Sequence, residues 1–151
     1  MSRTPLLNGQ VIGLALYSTR AVLSARLAEL GTSFEPMAVL NLLVQHHGSW
    51  GRADLVDRLV FTLKIDEAAA QAVVDGVIAS GLAEPAPGDT STLRLTDRGA
   101  ALQSRAAEVA AAIASRIYAD IPEEELAVAG RVLALLTDRA NAELSAVHRA
   151  R

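Results

Sequence analysis

Cysteine is absent from the 151 residues, which excludes disulfide frameworks, thiolate metal sites and redox-sensing thiols. Aromatics are almost absent as well: one Trp, two Tyr and two Phe. A core with so few rings must pack small and aliphatic side chains closely, and the abundant Ala favours helix because it loses no side-chain entropy. No run of about eighteen apolar residues is free of charge, so no membrane span is expected. The leading Met1-Ser2-Arg3-Thr4-Pro5 enters an amphipathic stretch broken by Asn8, Gln10 and Arg20, unlike a secretory signal, and a cytoplasmic protein is expected. Nucleophile motifs, glycine-rich phosphate loops and separated carboxylate pairs are also missing, which argues against an enzyme. Adjacent His46 and His47 point in different directions on a helix, so neither a metal site nor a cofactor is expected.

What is present is helical periodicity with one interruption. A first helix over about Leu7 to Leu30 carries Leu16, Leu23, Leu27 and Leu30 at helical spacing and stops at Gly31. The next, capped by Thr32 or Ser33, is expected from Phe34 to His47, with Met37, Leu40, Val44 and His47 on one face. Gly48 and Gly51 bracket Trp50 in a short connection. A third helix, Arg52 to Leu63, sets Leu55, Leu59 and Leu63 one turn apart. Asp66 is a natural N-cap for a fourth that ends near Ser80, with Ala70, Val73, Val74 and Val77 buried. Its other face offers Ala68, Gln71, Ala72, Asp75 and Ala79.

The interruption is a hairpin: Gly81-Leu82-Ala83-Glu84-Pro85, a polar tip from Pro87 to Ser91, and the alternating strand Thr92-Leu93-Arg94-Leu95-Thr96. Helix, helix, hairpin is the order of a winged helix-turn-helix. A long helix follows, with Leu102, Ala106, Val109, Ile113 and Ile117 as its seam. A last helix begins at Pro122, where Glu123, Glu124 and Glu125 suit the helix dipole. Its seam of Leu126, Ala129, Leu133, Leu136 and Ala140 steps like a coiled coil. The expected fold class is therefore mainly α with a small β-hairpin wing, a winged helix-turn-helix (52–99) between N-terminal helices (7–48) and C-terminal dimerisation helices (100–147). Terminal seams this long exceed what one small domain needs and predict an isologous homodimer.

Charge runs against the simplest use of such a head. Between Gly51 and Gly99 the bases are Arg52, Arg58, Lys64, Arg94 and Arg98. The acids are Asp54, Asp57, Asp66, Glu67, Asp75, Glu84, Asp89 and Asp97, so the whole net charge of −3 falls in this segment. Phosphate contacts supply most sequence-independent affinity, and an acidic head is poorly placed to make them.

The chain resembles the MarR family of winged-helix transcription factors along nearly its whole length. The likeness is carried by Leu93-Arg94-Leu95-Thr96-Asp97-Arg98-Gly99, by Gly81-Leu82, and by Pro122-Glu123-Glu124-Glu125-Leu126. It implies a homodimer whose two heads bind a pseudo-palindromic site on double-stranded DNA, with a small-molecule pocket between the interface and each head. It also marks departures. Gly76 stands where the family often has a base, and Asp89 is followed by Thr90 and Ser91 where family wings carry two Arg.

The candidate DNA-binding residues are Gln71, which can pair bidentately with adenine, Arg94 with Thr90, Ser91 and Thr92 on the wing, and Arg52, Arg58 and Lys64 at the edges of the third helix. Arg58 is also free to pair with Asp54 at helical spacing. Given the resemblance, Tyr17, Arg20, His47 and Trp50 form a candidate pocket for a small aromatic or phenolic effector, with Arg20 to hold an acid. The expected function is a dimeric DNA-binding regulator, a ligand-responsive repressor. The alternative is a winged-helix scaffold that has lost DNA reading and serves as a protein-interaction or small-molecule-sensing module.

Overall fold

A computed structural model describes residues 5–151. The expectation for the first four residues lies outside it. The chain divides into two compact units, residues 1–113 and 114–151.

In the first unit, α1 (Gly9–Glu29) starts where the Asn8 side chain accepts from the Val11 amide at 3.0 Å. It ends in a Schellman turn: Thr32 N–H reaches the Leu27 carbonyl, and Gly31 N–H the Ala28 carbonyl. α2 (Phe34–Gln45) is two residues shorter than expected. His47 adopts φ 60°, and the same pair of bonds, Gly48 to Leu43 and His47 to Val44, closes the helix there. His47 therefore ends α2 and shares no helical face with Met37 and Leu40. Val44, also expected on that face, is exposed.

The link through Trp50 is a strand, β1 (Ser49–Gly51), followed by α3 (Arg52–Leu63) and α4 (Glu67–Ala79). Asp66 caps α4 as expected, accepting from Ala69 N–H at 2.7 Å. β2 (Ala83–Ala86) and β3 (Asp89–Leu95) form the hairpin, and the sheet runs β1-β3-β2, all antiparallel. A three-residue strand shows no alternation in sequence; pairing of Trp50 with Leu93 creates it. α5 (Asp97–Ile117) follows.

The core of this unit takes Leu27 from α1, Leu40 and Leu43 from α2, Leu55 and Leu59 from α3, Ala70, Val74 and Val77 from α4, and Leu93, Leu102 and Ala106. Four of these leucines, at 40, 43, 55 and 59, have no exposed surface. Each contributes about 1.5–3 kcal/mol of burial. By length and a mean hydropathy of 1.2, α1 is apolar enough to cross a bilayer, although Arg20 interrupts its apolar run as the sequence shows. Its contacts place it in the folded unit: Leu27 is in the core, and Arg20 reaches Glu35 of α2 at 3.1 Å.

The second unit is dominated by α6 (Glu123–Arg149), with Pro122 in the capping position and not inside the helix. No residue of α6 is buried. Val128, Val132, Leu133, Leu135, Leu136, Leu144 and Val147 are all exposed.

Candidate nucleic-acid interface and effector cavity

The helix-turn-helix is held together at the Gly81-Leu82 and Leu93–Gly99 segments. Thr96 caps α5, its Oγ1 accepting from Gly99 N–H at 3.0 Å while donating to the Gly81 carbonyl at 2.7 Å. Arg98 donates to the Ser80 carbonyl at 3.0 Å and so satisfies the end of α4. Gly99 lies against the Leu82 backbone so closely that any Cβ would collide with the Leu82 carbonyl. These residues thus fix the wing and α5 to the C-terminus of α4. Their role is architectural.

α4 presents Ala68, Ala72 and Asp75 to solvent, with Gln71 half-buried beside them. The Gln71 oxygen is already engaged: Arg52, at the start of α3, donates to Oε1 from Nη2 at 2.7 Å and from Nε at 3.1 Å. The same Nη2 donates to Asp75 Oδ1 at 2.7 Å. On the wing, Arg94 faces Glu84 across the strands and pairs with it at 2.6 Å, both side chains half-exposed. At the tip, Ser91 Oγ and Thr92 Oγ1 each donate to the Asp89 carboxylate at 2.6 Å, and Ser91 N–H does so at 3.0 Å. The Ser91 hydroxyl above all, then that of Thr92, holds the Asp89 carboxyl below its ordinary range. Thr90 is exposed.

Lys64, in the left-handed conformation after α3, donates to the Phe61 carbonyl at 2.6 Å and lies over the Phe61 ring. Arg58 does not pair with Asp54 and is the one base of the head with no hydrogen-bond or ion-pair partner among the described residues. The head's cations are therefore mostly engaged by its own carboxylates and carbonyls. Half-exposed pairs such as Arg94–Glu84 are worth about 1 kcal/mol or less, so an incoming phosphate can displace Glu84 at little cost.

The four residues read as an effector pocket do not come together. Tyr17 stands 71% exposed on α1. Arg20 bridges to Glu35 and stacks over Phe34 at 4.5 Å. Trp50 stacks on His46, not His47, with centroids 3.7 Å apart. A cavity of about 270 Å³ lies elsewhere, walled by Leu23 and Leu27 of α1, Phe34, Met37, Ala38, Asn41, Leu42 and Gln45 of α2, Leu59, Thr62 and Leu63 of α3, and Ala106, Ala107 and Ala110 of α5. None of the four lines it, and the wall carries no charged side chain. Asn41, whose Oδ1 accepts from Gln103 at 3.2 Å, Gln45 and Thr62 are its polar groups. The amides Asn41 and Gln45, one turn apart on the apolar C-terminal part of α2, were the available sequence signal.

Protein-family profiles give no match to this sequence, and the search of curated proteins found no match either. Solved structures do match. A serine-for-cysteine mutant of MarR from E. coli, complexed with operator DNA, aligns with a TM-score of 0.69 at 19% identity, over 85% of this chain and 91% of that one. An organohalide-sensing RdhR transcriptional regulator in its 2,4-dichlorophenol-bound form gives 0.72 at 18%, over 86% and 77%. CouR from Rhodococcus jostii, bound to p-coumaroyl-CoA, gives 0.72 at 17%, over 85% and 90%. With helices at both ends and a three-stranded wing sheet, this chain has the winged-helix fold of the MarR-type regulators.

Proposed function

We propose that this protein is a dimeric, ligand-responsive DNA-binding regulator that acts as a repressor in the cytoplasm. The observation that carries the proposal is a solvent-facing α4 flanked by a wing, in the fold of a protein crystallised on operator DNA. Homodimerisation is supported by the apolar side chains that α1 and α6 leave uncovered, Leu14, Leu16, Tyr17 and Val22 on one, Leu133, Leu136 and Leu144 among those on the other. A second copy carries the same seams, and two symmetric heads about one helical turn apart then meet a pseudo-palindromic site.

The effector is an uncharged, largely apolar molecule of aromatic or phenolic type. A carboxylate in the cavity would find no cation in its wall, and a charge moved out of water without a partner is disfavoured. Ligand in contact with α1, α3 and α5 at once favours one placement of the head and trades DNA affinity for ligand affinity by linkage.

Gel-shift with the protein's own promoter region at low salt tests the reading; a shift at micromolar protein is expected, and its absence contradicts DNA binding. The self-paired arginines and acidic head favour one other reading, a sensing or protein-interaction module that no longer reads DNA. Arg94→Glu separates the two: DNA binding is abolished under the first and partner capture is untouched under the second.

A further inference from the structure

We infer that Arg52 is a positioning residue that turns Gln71 into a donor-only reader, so that α4 selects guanine and not adenine. This rests on the proposed reading of DNA by α4. A guanidinium donates and never accepts, so the Gln71 atom held at 2.7 and 3.1 Å must be the amide oxygen. Asp75 accepts from the same Nη2 and anchors the guanidinium in that position. Flipping the amide would set N–H groups against N–H groups.

The consequence lies in the other half of the amide. Gln71 Nε2 has no partner, and among the described residues no buried side-chain polar atom lacks one, so Nε2 is open to solvent. The bidentate pair with adenine needs both ends of the amide, the oxygen for N6–H and the nitrogen for N7. With Oε1 taken by two bonds, only the NH₂ group is offered. Guanine shows two acceptors, O6 and N7, on its major-groove edge and matches a lone donor best. Exposed Ala68 and Ala72 on either side are too short to contribute a competing hydrogen bond.

Selection from randomised duplexes at low salt, with the full-length chain, tests this. The position read by Gln71 is the one whose preference disappears in Gln71→Ala. The wild type is expected to favour guanine over adenine there by tenfold or more. Arg52→Ala frees the oxygen and should bring that ratio to one or below. Gln71→Glu keeps an acceptor for Arg52 but has no donor, and should abolish the guanine preference even if Arg52→Ala folds poorly. Adenine preference in the wild type, or an unchanged ratio in Gln71→Glu, overturns the inference alone. No bound duplex at all overturns DNA reading and the inference with it.

Discussion

α2 and α6 carry the same kind of apolar stripe, and the molecule treats them in opposite ways. On α2, Met37, Val39, Leu40 and Leu43 are buried in a core drawn from five helices and the sheet. On α6, with more than twice the residues of α2, nothing is buried. The first unit builds a buried core, although α1 within it leaves Leu14, Leu16, Tyr17 and Val22 exposed. The second carries apolar side chains on α6 that are exposed, the surface on which the proposed dimer rests.

The largest effect should come from charging that surface. Leu133→Glu with Leu136→Glu removes two apolar contacts per subunit and adds charges; a loss of at least about 4 kcal/mol of association, roughly a thousandfold in dimer dissociation constant, is expected by sedimentation. The far-ultraviolet spectrum of the head should survive, which separates assembly from folding.

Next is Gly99→Ala, which forces a Cβ onto the Leu82 carbonyl inside the first unit. A loss of about 3 kcal/mol is expected in urea unfolding, since backbone on both sides prevents relief. Smaller, and of opposite sign, is His47→Gly. A residue held at φ 60° is relaxed by glycine, with a gain of up to about 1 kcal/mol in the same assay.

The smallest effect is a pH dependence of the wing tip. The hydrogen bonds to Asp89 lower its pKa in the folded state. Their contribution is complete above the unfolded carboxyl value of about 4 and is lost as pH falls through the lowered folded value. Amide exchange at Ser91 should accelerate there, and Asp89→Ala should show fast exchange at all pH values.

Much of the fold was readable because long helices repeat their pattern. The apolar spacing of α3 and α4, the Asp66 cap and the Gly31 and Gly81 stops are local properties, and they agree with the structure. Three things were not local. β1 exists only because β3 pairs with it. His47 ends α2 in a conformation usually left to Gly or Asn, which its side chain does not announce. Arg52 reaches Gln71 and Asp75 across nineteen and twenty-three positions, so neither the engagement of the amide nor its direction is written in the sequence. The cavity among α1, α2, α3 and α5 is not legible in the sequence for a related reason. Its wall is assembled from ordinary core leucines and alanines of four helices, while the showier Arg20 and Trp50 serve Glu35 and His46.

Sedimentation equilibrium of the unmodified chain at micromolar concentration tests the central claim most directly. A species of twice the 15.8 kDa chain mass is predicted. A single 15.8 kDa species across the concentration range would contradict it, because two heads could then not be held at the spacing that operator binding requires.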